Sequence, residues 1–474
     1  MWQSHIFVDG WQSGASGTIN VLEKATGDVL ASVGFAGAED VNTAAEVTHG
    51  VAKDWAKTSL DERAQGLLNF RENISRNKKN LTYWLVREAG ATMAKAEREI
   101  LATLDEISCV VEGLEEQDTE LAPRKSKGRS YEVFREPVGV VSIITPFNAP
   151  LILAMRAMVP ALASGNGVIL KPDPRTAICG GLLYPELLED TGVPEALVSV
   201  LPGDGDVGNA MSSHPLIGSV LFTGSTPVGK KVGETAGLNF KRIGLELGGN
   251  NPVLVLSDAD INSTVDHAIT SSFLHSGQIC MAAGQYHVDS SIYDQFIEAF
   301  SAKAKALTVG DPWKNPTVDM GPIVDDASVQ RIQSMVNNSL KKGALRYAGG
   351  TANGRMFPAT VLADVPEDAP AWNEEAFGPV AALQRMTDVE QTLTKLEKNP
   401  YGLVAAVHSQ DRQRAHNLAK RLVAGSIRIN DVTNHDNPRT PMVGRKESGN
   451  MSAFGGTEMH ELLNVSKVIS EPTG

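Results

Sequence analysis

Four short stretches combine residue types that chemistry uses. Cys280, in Gly277-Gln278-Ile279-Cys280-Met281, follows a helical stretch and a glycine and precedes an extended segment, where a loop thiol can be reached. Attack by sulfur needs that access and some thiolate character. Cys109 lies in an apolar helical stretch and Cys179 begins a helix, so both read as small buried hydrophobes. Glu246, in Leu245-Glu246-Leu247-Gly248-Gly249, is a carboxylate at the end of an apolar strand. Burial there would raise its pKa and suit a general base; a solvent-facing Glu on an edge strand is the plainer alternative. Asn148 sits between Pro146 and Pro150, where its amide can donate to a developing oxyanion or simply form a turn. Gly224-Ser225-Thr226-Pro227-Val228-Gly229 follows a strand and opens a helix. Such a turn lets backbone N–H groups approach a phosphate, although the middle Gly of the usual fingerprint is missing and a tight turn alone explains two glycines. Lys171, before Pro172, can reach a ribose or phosphate or be a solvated surface Lys.

The elements around these residues alternate. Extended runs over Val138–Ile144, Gly167–Lys171, Val198–Leu201, Ser219–Phe222 and Ile243–Leu247 are separated by helical patterns over Leu151–Ala163, Thr176–Asp190 and Thr226–Ala236. That order predicts a parallel sheet covered on both faces, with a ligand beyond the carboxyl ends of the strands. The loops after Ile144, Lys171, Leu201, Phe222 and Leu247 should therefore line one crevice. Before it, Asp9-Gly10 suits a hairpin turn, Ala38 to about Glu116 is helical in period, and Gln117–Gly128 is polar. Arg129–Arg135 alternates like a strand. After Asn251 the alternation restarts, with strands over Pro252–Leu256 and Tyr286–Val288, helices over Ile261–Ser276 and Ile292–Leu307, and an extended Leu462–Ser470 at the end.

Composition bounds the class. At 474 residues the chain suggests about three compact units or two larger ones. It is 42% hydrophobic and 21% charged, an ordinary globular balance. With 43 basic and 56 acidic residues the net charge is −13, which argues against nucleic-acid binding. No run of about 18 uncharged apolar residues occurs, so no membrane span is expected. Three Cys fit a reducing cytoplasm, with no disulfide framework and no metal cluster expected.

Taken together and in order, the motifs resemble the aldehyde dehydrogenase superfamily over essentially the whole length. Thr145-Pro146-Phe147-Asn148, Lys171-Pro172, Phe222-Thr223-Gly224-Ser225-Thr226, Glu246-Leu247-Gly248-Gly249, Gly277-Gln278-Ile279-Cys280 and Glu374-Glu375-Ala376-Phe377-Gly378-Pro379 carry the resemblance. Lys171–Thr176 and Ser272–Met281 look most like the benzaldehyde, vanillin and salicylaldehyde dehydrogenase branch. The resemblance implies an α/β fold: a parallel-sheet Rossmann-like cofactor domain, an α/β catalytic domain and a small β oligomerisation element. Their expected bounds are 1–117 with 139–246, then 247–447, then 118–138 with 459–474. A homodimer or homotetramer, a small aldehyde substrate, and NAD or NADP as cofactor follow from the same resemblance.

Its chemistry implies Cys280 as nucleophile, Asn148 and the Cys280 N–H as oxyanion donors, and Glu246 as the base that hydrolyses a thioester. The implied cofactor site comprises Ile144, Thr145, Pro146, Phe147, Lys171, Asp173, Pro174, Gly203, Gly208, Phe222, Thr223, Gly224, Ser225, Val228, Leu247, Glu375 and Phe377. The implied aldehyde tunnel comprises Ala149, Leu153, Arg156, Leu274 and Met442, with Ala149 where many members place an aromatic residue. Four positions depart from the family. Pro174 replaces a ribose-binding Glu, so exclusion of NADP should weaken, with Arg175 a possible cation beside it. Asn250 replaces a Lys, Ala157 replaces a relay Lys, and Pro441-Met442-Val443-Gly444 replaces Pro-Phe-Gly-Gly. Competing readings are oxidation of an anionic semialdehyde paired by Arg156, a cysteine hydrolase using Cys280 and His275, and a catalytically silent protein on this fold.

Overall fold

The computed structural model describes residues 2–114, 120–126, 128–456 and 458–472, with 120–126 as backbone. The parts of the expected divisions that fall on 1, 115–119, 127, 473 and 474 lie outside the described residues. The chain opens with β1 (Ile6–Phe7) and β2 (Trp11–Gln12), joined through Asp9 and Gly10 at φ 49° and 113°. Positive φ at both positions is what a tight hairpin turn demands. A second hairpin, β3 (Thr18–Leu22) and β4 (Val29–Gly34), leads into four helices: α1 (Ala38–Trp55), α2 (Leu60–Arg76), α3 (Lys78–Arg87) and α4 (Met93–Leu114). The hairpin of β5 (Glu120–Ser126) and β6 (Arg129–Pro137) follows.

The first large sheet is built from β7 (Val140–Ile144), β8 (Gly167–Lys171), β9 (Val198–Val200), β10 (Ile217–Thr223) and β11 (Arg242–Glu246). Its order is β11-β10-β7-β8-β9-β1-β2, with the first five strands parallel. Val140, Ile144, Ile169, Val220 and Phe222 face α1, α7 (Gly205–Ser213) and α8 (Thr226–Leu238). Val141, Ile143, Val168, Leu170 and Leu221 face the layer containing α4 and α5 (Pro150–Ala163). Burial on both faces is why these strands are continuous apolar runs rather than alternating ones. The chain runs outward from β7 to β9, then returns to place β10 on the other side of β7. The switch point thus lies between β7 and β10, where a parallel sheet opens a crevice at its carboxyl edge.

One expected helix is broken. Over Thr176–Asp190 the chain makes a 3₁₀ turn (Pro174–Thr176), a π turn (Ile178–Leu182) and the short α6 (Tyr184–Leu188). The buried Glu88 carboxylate accepts from the N–H groups of Ile178 and Cys179 (2.8 and 2.7 Å), fixing the start. Gly181 lies so close to Val200 and Pro172 that a Cβ would meet them at 2.7 and 3.1 Å.

The second sheet takes β12 (Asn251–Val255), β13 (Ala283–Asp289), β14 (Leu345–Ala348), β15 (Thr360–Ala363), β16 (Val380–Met386), β17 (Val404–His408) and β18 (Ser426–Ile429), in the order β14-β15-β16-β13-β12-β17-β18. Helices α9 (Ile261–Phe273), α10 (Tyr293–Ala306) and α11 (Asp326–Lys341) flank it. The helical pattern expected to reach Ser276 stops at Phe273, because His275 and Ser276 take φ of 51° and 55°. The chain then returns to the first half. β19 (Met442–Val443) pairs with β20 (Ala453–Phe454), and Met442, Phe454, Met459, Leu462 and Leu463 complete the first core. The final β21 (Asn464–Pro472) pairs along all of β6, giving a three-stranded sheet with β5.

Candidate active site

The two sheets meet at a cleft of about 780 Å³. On one side stand the loops after β7, β8, β9, β10 and β11, as the switch point requires. Opposite them stand the segments that lead into β13 and β16, bringing Cys280 and Glu374–Phe377. Of the residues the resemblance assigns to the cofactor, all but Gly208 border this cleft. Gly208 lies behind its wall, where a Cβ would reach Ile144 and Lys171 at 3.6 and 3.9 Å. Gly229 serves packing instead: a Cβ there would meet the Leu247 side chain at 2.3 Å, so α8 sits close against the chain leaving β11.

Cys280 is part-exposed, in a loop pinned on both sides. Asn251 Nδ2 donates to the carbonyls of Cys280 and Ala282 at 2.8 and 2.7 Å. Gln278 donates to His275 O and Pro322 O and accepts from Val324 N. Burial, then the carboxylates of Glu246 and Glu375, push the thiol up to about 12. Asn148 is 4% exposed and borders the cleft beside Cys280; among the described residues the hydrogen bond it makes is through its backbone carbonyl, and none is made by its side-chain amide.

Glu246 ends the outermost strand of the first sheet, yet it is 3% exposed. The segment Gly444–Asn450 covers that edge: Leu247 N donates to Ser448 O (2.9 Å) and Leu245 N to Asn450 Oδ1 (2.9 Å). Glu246 Oε1 accepts from Gly444 N at 3.1 Å, while Oε2 is buried without a partner. Burial pushes this carboxyl up to about 8, which suits a base near neutral pH. Glu375 Oε1 accepts from Gly249 N at 3.0 Å, and burial raises it to about 7. Phe377, at φ 38°, stands edge-on to Phe147 (5.8 Å between ring centres).

Lys171, which also borders the cleft, is buried near the carboxylates of Asp173 and Asp204. Arg175 lies over the Phe147 ring (4.3 Å to its centre). Its guanidinium is not free: it donates to both oxygens of Asp173 (2.9 and 2.7 Å) and to Asp325 (2.8 Å). Arg331 is a residue that sequence reasoning missed. It donates to the carbonyls of Glu375, Ala376 and Phe377 and so holds that loop. Tyr401 and Ser328, which also border the cleft, carried no signal, because each reaches it from a distant part of the chain.

Of the expected tunnel residues, only Leu153 borders the cleft. Ala149 and Leu274 are half-buried at helix ends, and Met442 is buried opposite Phe454. Arg156 is buried and held between Asp436 and Glu106 (3.5 Å to the latter), so its charge is already met. His275 is buried, its pKa pushed well below the usual range, and no hydrogen bond joins it to Cys280 among the described residues. The hydrolase dyad is therefore absent. Also among the described residues, no group of three His, Cys, Asp or Glu could hold a metal ion, and no helix is long and apolar enough to cross a membrane.

Comparison with known proteins agrees with this geometry. A family model described as "Aldehyde dehydrogenase family" matches residues 11–468. The chain is 39% identical to a vanillin dehydrogenase of Amycolatopsis sp., over 96% of this chain and 93% of that protein. It is 37% identical to an NAD(+) benzaldehyde dehydrogenase of Pseudomonas putida, over 99% and 96%. A betaine aldehyde dehydrogenase of Staphylococcus aureus, solved in complex with NAD+, superposes with a TM-score of 0.95 at 28% identity, covering 100% of this chain and 95% of that one.

Proposed function

The chain belongs to the aldehyde dehydrogenase family and is an NAD(P)-dependent aldehyde dehydrogenase; from that premise we propose that its substrate is an aromatic aldehyde of the benzaldehyde or vanillin type, oxidised to the carboxylic acid. The observation that carries the choice is the state of Arg156. Leu153 and Arg156 lie on one face of α5, Ala149 is the N-cap before it, and Leu153 brings that face to the cleft. The one cation on this face is neutralised by Asp436 and Glu106, so a substrate carboxylate would find no unpaired charge there. An apolar ring loses nothing by this and gains ~25 cal/mol per Å² buried. Identity to vanillin and benzaldehyde dehydrogenases supports the same reading.

The cleft fits a nicotinamide dinucleotide: it offers the Lys171 ammonium, the Gly224-Ser225 turn at the start of α8, and the Glu375 carboxyl with the Phe147–Phe377 pair. Lys171 would hold the adenosine ribose, Gly224 and Ser225 the pyrophosphate, Glu375 the nicotinamide ribose, and Phe377 the ring. The nicotinamide supplies a hydride acceptor when bound. Cys280 Sγ, once deprotonated, adds to the aldehyde carbon, and the oxygen of that carbon becomes an anion. The Asn148 amide and the Cys280 N–H stabilise it; losing one such donor typically costs ~10²–10³ in rate. After oxidation the acyl group is a thioester on Cys280. Glu246 takes a proton from water, and the hydroxide displaces the sulfur.

In the same reading the chain divides at the bounds set out above, and it assembles as a homodimer or homotetramer in the cytoplasm through the β5-β6-β21 sheet. In that sheet β6 and β21 carry no buried residue, and Val465, Val468 and Ile469 are exposed.

Two measurements test these assignments. A panel of benzaldehydes and succinate semialdehyde, assayed with NAD and NADP separately, should give benzaldehydes at least about tenfold higher kcat/KM. Ala149→Phe should reduce benzaldehyde turnover far more than that of a short aliphatic aldehyde. A semialdehyde ahead of every benzaldehyde would reverse the substrate assignment. The second concerns Pro174, which borders the cleft with no charge of its own. Both cofactors should be used, and Pro174→Glu should shift the kcat/KM ratio towards NAD, since a carboxylate beside a 2′-phosphate is repulsive. An unchanged ratio would place residue 174 away from the adenosine ribose.

A further inference from the structure

Asn148 has to be held still, and its own neighbours cannot do it. α5 begins with Pro150, which has no N–H, and its N-cap is Ala149, which has no side-chain oxygen. The N–H groups of Leu151 and Ile152 therefore need acceptors from elsewhere. Glu99 of α4 supplies them: its Oε1 accepts from Leu151 N at 2.9 Å and from Ile152 N at 3.3 Å. A carboxylate at a helix start also meets the positive end of the helix dipole. One turn earlier on α4, Lys95 pairs with Glu99 and donates to the backbone carbonyl of Asn148 at 2.8 Å. Tyr184 Oη donates to the carbonyl of Pro150 at 3.1 Å. Lys95 and Glu99 are 7% and 4% exposed.

We propose that Lys95 and Glu99 are positioning residues for the oxyanion donor, gripping the backbone on both sides of Asn148 so that its free amide points where the aldehyde oxygen becomes an anion. This rests on the role given to Asn148 above. A buried ion pair returns little net stability compared with apolar residues of similar size. What this one does accomplish is to give partners to the Asn148 carbonyl and to the Leu151 and Ile152 N–H groups while leaving the Asn148 amide unengaged. Precision there matters, because a shift of about 1 Å in a reacting group can cost about 10²-fold in rate.

A double-mutant cycle on the full-length enzyme tests it, read as the rate of the first-turnover burst of reduced cofactor. Asn148→Ala should slow the burst ~10²-fold or more. Lys95→Met and Glu99→Gln should each slow it by about 10- to 100-fold while the dissociation constant for the cofactor stays within about twofold, and Lys95→Arg should recover most of the loss. Adding Lys95→Met or Glu99→Gln to Asn148→Ala should cost less than about twofold more, because the group they position is gone. Should Lys95→Met fail to fold, the nearly isosteric Glu99→Gln carries the same cycle. Additive losses, a normal burst in the Lys95 and Glu99 variants, or a parallel loss of cofactor affinity would overturn the proposal. A normal burst in Asn148→Ala would instead remove Asn148 from its role and leave the pair nothing to position.

Discussion

Cys280→Ala should bind nicotinamide cofactor yet produce no reduced cofactor from any aldehyde. The expected loss is on the order of 10⁴-fold or more, since removing a nucleophile leaves only the binding and oxyanion contributions. Cys109→Ala and Cys179→Ala are the matched controls. Cys109 is buried and donates weakly to the carbonyl of Pro438 (3.5 Å). Cys179 is sealed beside the Glu88 carboxylate, and burial pushes its thiol well above the usual range. Neither borders the cleft, so both variants should keep most of their turnover. Absorbance at the reduced-nicotinamide band, with cofactor binding followed separately by fluorescence, checks all three. Ordinary turnover by the Cys280 variant would remove the covalent mechanism altogether.

Glu246→Gln should fail later in the cycle. The amide cannot take a proton from water, so the variant should release about one equivalent of reduced cofactor per site and then stall as an acyl-enzyme visible by mass. The pH dependence gives a second readout. Burial raises the Glu246 carboxyl to about 8. Below that pH the group carries its proton and cannot act as a base; above it the carboxylate predominates. Hydrolysis in the unmodified enzyme should therefore rise about tenfold per pH unit up to about 8 and then level off, while the residual rate of Glu246→Gln lacks this inflection. Steady turnover without accumulated acyl-enzyme would assign deacylation to another group.

What was legible in the sequence was local. The strands of the first sheet were apolar runs because both their faces are covered, and their order alone locates the crevice between β7 and β10. The Cys280, Glu246 and Asn148 stretches could be read because each lies in a loop or strand end whose composition differs from a core segment. What was not legible depends on partners far along the chain. The segment over Thr176–Asp190 takes its start from Glu88, about 90 residues upstream. Arg156 reads as an open cation until Glu106 and Asp436 close around it. Arg175 reads as an aid to a 2′-phosphate until Asp325, from the other half, claims part of its fork. Lys95 and Glu99 lie in a helix whose period marks them only as polar positions; nothing nearby shows that they reach across to α5.

The return of residues 442–463 to the first half bears on how the enzyme is made. A ribosome that has released Glu246 has delivered every strand of the first sheet, but Met442, Phe454, Met459, Leu462 and Leu463 are still to come. About 200 further residues follow before that core can be finished, roughly 10–40 s at ~5–20 residues per second. Throughout that interval β11 is an open edge and able to pair with a strand from another nascent chain. Glu246 meanwhile lacks both its cover and the Gly444 N–H. Competence and burial thus arrive together late in synthesis: a message cut short between Ile429 and Met442 yields a chain with the strands of both large sheets, an unguarded edge and an uncovered Glu246.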